Sequence, residues 1–304
     1  MSTTTRERWE HRLARCNGTS MIDFAANPIA MQIAVTYECN SACKWCVQHL
    51  DVIRWKVDTD ITEGEIRTAA RLLKFYGIKI GKLRVTGGEP MVHPNLRELL
   101  VAINETWAPR SGWFRIYSNG KLPVLRGVPG RFSVVPVTSV KKTSLFTPFN
   151  VSPADLGIEP KFGFVRPCVQ QLYCGRWFDC FGFTSCGVAG VLGAMLGEDT
   201  YEPLPVMMGR PSVCQHCLYS LSKQERHLVT RKVHAGKIPD VTKTFKEAIE
   251  RWHDDPPHPH YFWDRLPKEY LQPGEQVNER CGRQVADGHE DGDSLLASVP
   301  VRSV

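Results

Sequence analysis

The chain has 304 residues, of which 42% are hydrophobic and 23% are charged, and its formal net charge is +6. This composition is typical of a folded protein with one large or two modest domains, it excludes wholesale disorder, and the mild positive charge selects no class of partner. No apolar run of about 18 residues occurs, and residues 1–10 lack the apolar segment of a secretory signal. We therefore expect a cytoplasmic protein whose 11 cysteines bind a metal or a cluster rather than form disulfides.

Predicted strands and helices alternate through the first half of the chain. Strands are predicted at Met31–Thr36, Lys82–Thr86, Trp113–Tyr117 and Arg131–Val137. Thr62 and Glu65 form a capping-box pattern that opens a helix ending at Gly77, and a second amphipathic helix is predicted at Asn95–Thr106. This order predicts an α/β protein with a parallel sheet, and polar motifs follow the carboxyl ends of its strands.

The second half of the chain has fewer regular patterns. Six cysteines fall between Cys168 and Cys217, and a helix with one apolar face is predicted at Asp240–Trp252. The segment 283–304 is polar and has no periodicity, which predicts a disordered tail.

Three cysteines with the spacing C-x3-C-x2-C follow the first predicted strand: Cys39, Cys43 and Cys46. Three close thiolates are able to bind three irons of a cubane cluster and leave the fourth iron open. A structural zinc site is the alternative for this segment, with His49 as the fourth ligand.

Two further polar motifs follow the next strands in order, Gly87-Gly88-Glu89-Pro90 and Ser118-Asn119. Together with the cysteine triad, in which Trp45 is the aromatic residue before the last cysteine, they resemble the radical S-adenosylmethionine (radical SAM) superfamily over residues 30–120. The resemblance implies a partial (β/α)6, TIM-like barrel, trimmed here because Asn119 and Cys168 lie close in sequence. It also implies reductive cleavage of S-adenosylmethionine (SAM) at a 4Fe-4S cluster, giving methionine and a 5′-deoxyadenosyl radical that abstracts hydrogen from a substrate.

The same resemblance implies which residues contact the cofactor. Glu89 would offer its carboxylate to the SAM ammonium group, and Gly87 and Gly88 would let the backbone approach the cofactor closely. Ser118 and Asn119 would contact the ribose or the carboxylate of SAM. Pro90 and Trp45 complete the two motifs around SAM and its cluster.

The later cysteines resemble the auxiliary-cluster modules called SPASM or twitch domains. The shorter, twitch form binds one 4Fe-4S cluster through four cysteines. The resemblance implies the ligands Cys168, Cys186, Cys214 and Cys217, with Gly182–Cys186 as the hairpin segment before the second ligand. A zinc staple on the same residues is the alternative.

Two cysteines of this region are left over, Cys174 and Cys180. Either one is an alternative to Cys168 as a ligand, or a hydrogen-atom donor that faces the substrate. These patterns divide the chain into a lead-in (1–28), a partial barrel (29–165), an auxiliary-cluster module with a C-terminal helix (166–282) and a tail (283–304).

The resemblance to twitch-type enzymes implies oxidation, epimerisation or dehydration of a small polar substrate such as a sugar or cyclitol. We also expect an external electron donor of the flavodoxin or ferredoxin type, and no membrane or nucleic-acid partner. One alternative is a maturase that modifies a ribosomal peptide by the same chemistry. The other is a zinc or nucleic-acid-binding module without catalysis.

Overall fold

The computed structural model describes residues 29–107, 114–123, 125, 127, 132–136, 147–160, 175–202, 212–256 and 260–266. The predicted lead-in at 1–28 and the predicted tail at 283–304 lie outside these residues, as do Cys168 and Cys174.

Six strands, six α-helices and four 3-10 turns make up the described part of the chain. The strands are β1 (Ile29–Ala34), β2 (Ile80–Thr86), β3 (Phe114–Ser118), β4 (Phe132–Pro136), β5 (Arg176–Asp179) and β6 (Gly182–Thr184). The helices are α1 (Glu63–Phe75), α2 (Leu96–Thr106), α3 (Gly187–Leu196), α4 (Lys223–His234), α5 (Lys243–Asp254) and α6 (Phe262–Arg265). The 3-10 turns are Pro90–Val92, Ala154–Leu156, Ser212–His216 and Leu218–Ser220.

All six strands belong to one sheet with the order β4-β3-β2-β1-β5-β6. Strands β1 to β5 run parallel to their neighbours, and β6 pairs antiparallel with β5. This mostly parallel sheet confirms the predicted α/β class. Within the described residues β4 and β6 are the two edges of the sheet, so the barrel is open.

The first four strands and the first two helices form within two residues of their predicted ends. The capping box is present: Thr62 Oγ1 accepts from Glu65 N at 3.2 Å, and Glu65 Oε2 accepts from Thr62 N at 2.6 Å. Helices α1 and α2 bury their apolar faces in one core with the sheet, where Ile66 and Leu99 are buried in the same cluster as Met31. Each such buried side chain contributes about 1.5–3 kcal/mol, so this core fixes the sheet that carries the motifs.

The predicted hairpin segment Gly182–Cys186 forms β6 and the N-cap of α3. Its partner β5 pairs with β1, because Met31 to Ile33 lie in register with Arg176 to Phe178. The cysteine-rich part of the chain therefore begins as an extension of the main sheet. The division at residues 165 and 166 stays a prediction.

Candidate functional site

The three predicted motifs meet at one edge of the sheet. They follow β1, β2 and β3, which are adjacent and parallel, so their carboxyl ends lie side by side. The pairing of β1 with β2 continues past both strands, because Gly88 N donates to Thr36 O and Glu89 N donates to Glu38 O, each at 2.8 Å. The cysteine loop is thereby joined directly to the glycine motif.

Both glycines of that motif face protein backbone. A Cβ added at Gly87, whose φ is +144°, would lie 2.3 Å from Thr36 O, and one at Gly88 would lie 2.2 Å from Glu38 O. A carbon atom cannot approach an oxygen so closely, so only glycine fits at either position. The two glycines thus pack against the backbone that leads into Cys39, and their predicted closeness to the cofactor stays a prediction.

Glu89 connects the ends of β2 and β3. Its side chain is fully buried, Oε1 accepts from Met91 N at 3.0 Å, and Oε2 accepts from Asn119 N at 2.6 Å. Pro90, also buried, begins the 3-10 turn that Glu89 caps. The carboxylate therefore fixes the backbone of two motifs, and its predicted contact with SAM stays a prediction.

Asn119 links the third motif to the cysteine loop. Its Nδ2 donates to Asn40 Oδ1 at 2.7 Å and lies 3.2 Å from Ser41 Oγ, and both partners are between Cys39 and Cys43. The adjacent Ser118 is buried, and its hydroxyl accepts from Gly120 N at 3.1 Å. A side chain that had only been predicted to contact a cofactor also orders the loop of the predicted ligands.

The first cysteine group is half-buried. Cys39, Cys43 and Cys46 all have intermediate exposure. Trp45, between the last two, has a left-handed φ of 57° and a buried indole whose Nε1 has no hydrogen-bond partner among the described residues. Three half-buried thiols on one short loop suit an iron–sulfur cluster that must also admit a second ligand.

The zinc alternative for this loop, with His49 as the fourth ligand, stays a prediction. Four ligands around one zinc with bonds of about 2.3 Å lie within about 4 Å of one another. Among the described residues, no three side chains of His, Cys, Asp or Glu gather around a single ion in this way. A cubane holds its thiolates farther apart, because each binds a different iron.

One ring nitrogen of His49 has a partner, whereas Nε2 is buried and has no hydrogen-bond partner among the described residues. Its ring is fully buried, and Nδ1 lies 2.7 Å from Asn150 Oδ1. Because an amide oxygen only accepts, Nδ1 carries the hydrogen. Desolvation lowers the pKa of His49 to about 4, although the contact with Asn150 acts in the opposite direction, so the ring is neutral near pH 7.

The second cysteine group is described in part. Cys186 is buried at the N-cap of α3, whereas Cys214 and Cys217 are half-buried on consecutive turns, with Cys217 N donating to Cys214 O at 3.2 Å. Cys168 and Cys174 lie outside the described residues. Cys180 is fully buried at the turn between β5 and β6, in an apolar cluster.

A buried strap, Asn150–Ser152, joins the two cysteine groups. Asn150 contacts His49 in the first cysteine loop, and Ser152 Oγ lies 2.9 Å from His216 Nδ1, between Cys214 and Cys217. Thr242 fixes the strap itself: its N–H donates to Asn150 O at 3.1 Å, and its hydroxyl accepts from Ser152 N at 2.9 Å.

The middle residue of the strap completes the connection. Val151 is fully buried in a cluster with Trp45 of the first loop and with Leu218 and Leu221, which follow Cys217. One segment therefore orders both cysteine groups. Sequence reasoning missed it because its residues carry no motif and come together only through tertiary contacts.

A second unpredicted feature is a buried polar network around Asp179, at the end of β5. Tyr37 and Tyr201 donate their hydroxyls to Asp179 Oδ2 at 2.6 and 2.8 Å, and Trp177 Nε1 donates to the same oxygen at 2.8 Å. Phe181 N donates to Oδ1 at 2.9 Å. Burial raises the pKa of Asp179, against the effect of these hydrogen bonds. The network ties β5 to Tyr37, two residues before Cys39.

Comparison with curated proteins gives matches that each cover about a quarter of the chain. The GTP 3′,8-cyclase of Staphylococcus carnosus (strain TM300) is 32% identical over 79 residues, 25% of this chain and 23% of that protein. Molybdenum cofactor biosynthesis protein 1 is 31% identical over 75 residues in Dictyostelium discoideum and 33% over 73 residues in Homo sapiens. These two matches cover 12% and 11% of the relatives. The chain thus spans less than a quarter of the length of these relatives, and no protein-family model matches it.

Two solved structures are similar at low TM-score. Streptococcus suis SuiB bound to S-adenosylmethionine gives 0.28, with 18% identity over 38% of this chain and 27% of that chain. BtrN in complex with AdoMet and 2-DOIA gives 0.36, with 11% identity over 71% of this chain and 91% of that chain. As for membranes, none of the helices in the described ranges has the length and apolar character of a membrane span.

Proposed function

We propose that the chain is a radical SAM enzyme that cleaves S-adenosylmethionine reductively and takes a hydrogen atom from a small polar substrate. The observation that carries this proposal is the contact of Asn119 with Asn40 and with the Glu89 carboxylate. It brings three ordered motifs to one edge of a parallel sheet, which is where α/β proteins place their chemistry.

The residues of this edge fit the cofactors of the superfamily. Cys39, Cys43 and Cys46 would hold a 4Fe-4S cluster as thiolates and leave one iron for SAM. When bound, the 4Fe-4S cluster and SAM supply a one-electron cleavage that yields methionine and a 5′-deoxyadenosyl radical. Glu89 would attract the SAM ammonium group while it fixes the backbone on both sides of it.

The remaining task of the protein is orientation and the exclusion of water. Asn119 would hold the cysteine loop and offer its exposed side to the polar groups of SAM, and Ser118 would order the turn that follows. The indole of Trp45 packs on the interior side of the cysteine loop, in the buried cluster that contains Val151. A radical is consumed by any accessible hydrogen donor, so a closed apolar surround is required for a selective reaction.

The second cysteine group would hold an auxiliary 4Fe-4S cluster on Cys186, Cys214, Cys217 and Cys168. Cys186 stands at the N-terminus of α3, a ten-residue helix, where the macrodipole favours a thiolate. Among oxidation, epimerisation and dehydration of the substrate we favour oxidation, with the auxiliary cluster as the electron acceptor. Cys180 lies in the apolar core, whereas a thiol that donates hydrogen in an epimerisation must reach the substrate.

The test is anaerobic reconstitution with iron and sulfide, followed by dithionite and SAM. We expect about eight irons per chain and formation of 5′-deoxyadenosine. The triple variant Cys39→Ala/Cys43→Ala/Cys46→Ala should keep about four irons and form no 5′-deoxyadenosine. Cys180→Ala, the matched control, should behave as the unchanged protein does. Protein that binds only zinc and forms no 5′-deoxyadenosine would reject the proposal.

A further inference from the structure

Helix α4 presents a cationic face. The segment Lys223–Lys237 contains five lysines and arginines and one glutamate. His227, Arg231 and Lys232 are exposed and lie on one side of the helix, and within the described residues Arg231 and Lys232 form no ion pair. A helix face with this excess of positive charge attracts anions.

An exposed leucine lies within this cationic face. Leu228 is 54% exposed and precedes Arg231 by three residues and Lys232 by four, so the three side chains are neighbours on the helix surface. Protein interfaces combine an apolar centre with a polar rim in this way. Another exposed apolar side chain, Val47, directly follows Cys46.

The opposite face of α4 packs against the first cysteine loop. Val229 and Val233 are buried in the cluster that contains Trp45. The rings of His234 and Trp45 meet edge to face with centroids 4.7 Å apart. Since an α-helix with its side chains is about 10–12 Å wide, the cationic face lies one helix diameter from the residues between Cys43 and Cys46.

We infer that this face of α4, formed by His227, Leu228, Arg231 and Lys232, is the docking surface of an acidic protein that carries one electron. The inference rests on the proposed function, which requires one electron to reach the first cysteine group from outside. A negatively charged carrier would be steered to this face and would arrive with only α4 between it and the cysteine loop. The carrier is oxidised by one electron and the enzyme is reduced by one, and no atom is transferred.

The experiment compares two reductants on the full, reconstituted chain. The probe protein is a flavodoxin in its fully reduced form, and the small-molecule reductant is dithionite, which needs no docking surface. The test variant is Arg231→Glu/Lys232→Glu. The matched control is Lys74→Glu/Lys243→Glu, which changes the net charge equally on α1 and α5, where both lysines are exposed. Leu228→Ser removes the apolar centre without a change of charge.

For the test variant we expect the rate constant of flavodoxin oxidation to fall at least about tenfold at low ionic strength. Raising the salt from about 20 mM to about 300 mM should slow the unchanged protein toward the rate of the variant, because screening removes the steering. The affinity for oxidised flavodoxin, measured by calorimetry, should fall in the test variant and in Leu228→Ser. The yield of 5′-deoxyadenosine with dithionite should stay equal in all proteins.

Three results would overturn the inference. The first is an unchanged flavodoxin rate and affinity in the test variant, and the second is an equal loss in the matched control. The third is a single-stranded RNA that binds the unchanged protein but not the variant while the flavodoxin rate is unaffected, which would assign the face to nucleic acid. Failure of the proposed function itself is distinct, because the unchanged protein would then form no 5′-deoxyadenosine with dithionite, and calorimetry would still decide whether α4 binds flavodoxin.

Discussion

Gly88→Ala tests whether the glycine motif serves the cysteine loop. The added Cβ would lie 2.2 Å from Glu38 O and 2.7 Å from Tyr37 O. Both atoms belong to the backbone, so no side chain is able to rotate away. The ends of β1 and β2 must separate by about 1 Å or more before the contact becomes an ordinary one.

The expected loss of stability follows from the contacts that this separation breaks. The hydrogen bonds from Gly88 N to Thr36 O and from Glu89 N to Glu38 O are both 2.8 Å long, and each contributes about 1 kcal/mol. Strain from overpacking adds about 1–3 kcal/mol. We therefore expect the free energy of unfolding to fall by about 3–5 kcal/mol, a large part of the roughly 5–15 kcal/mol of a typical domain.

Urea unfolding of the metal-free chain, followed by tryptophan fluorescence, measures this loss. Gly64→Ala is the matched control, because its Cβ would meet Trp263 at an ordinary 3.4 Å, and it should change stability by less than about 1 kcal/mol. Iron content after reconstitution should also fall in Gly88→Ala, since Glu38 adjoins Cys39. If Gly88→Ala unfolds at the same urea concentration as Gly64→Ala and binds as much iron, Gly88 does not hold the cysteine loop as described.

The remaining predictions concern the buried polar groups. Asp179→Ala removes the carboxylate that accepts from the hydroxyls of Tyr37 and Tyr201, from the indole N–H of Trp177 and from Phe181 N, so urea unfolding should show a loss of about 4 kcal/mol or more. Asp179→Asn keeps an acceptor oxygen and should lose less than half as much, and equal losses would contradict this account. Asn150→Leu removes the acceptor of His49 Nδ1 and the donor to Asp51 Oδ2, so it should cost about 1–3 kcal/mol in the same assay. A stable Asn150→Leu protein would show that the strap does not depend on these bonds. Glu89→Gln replaces one acceptor oxygen by an NH2 group that cannot accept from Met91 N or Asn119 N. The SAM affinity measured by calorimetry should therefore fall, and the free energy of unfolding should fall by about 1–3 kcal/mol. Unchanged values of both would rule out the bridging role of Glu89.

Local patterns explain which parts of the fold could be predicted. β1 to β4, α1 and α2 were predictable because their apolar residues recur at strand or helix spacing and because Thr62 and Glu65 mark a helix start. α4 was missed although Ser222 and Glu225 form a second capping box, a signal that could have found it. Its mean apolar character is low, so periodicity alone does not reveal it.

Other features were missed because they depend on contacts between distant residues. α3 is buried on all sides and contains Gly187, Gly190 and Gly193, so it shows no amphipathic period. Position 190 requires glycine, because an added Cβ would lie 2.6 Å from the hydroxyl oxygen of Tyr201. The pairing of β5 with β1 joins residues more than 140 positions apart, and nothing local to either strand indicates it.

The same pairing places β1 in the interior of the sheet, with β2 on one side and β5 on the other. A fragment that ended before Arg176 would leave one side of β1 with unsatisfied backbone N–H and C=O groups beside Met31 and Ile33, which are fully buried in the intact chain. Natural proteins cover or charge such edges because an open apolar strand recruits a strand from another molecule. We expect such a fragment to aggregate through β1, next to the cysteine loop.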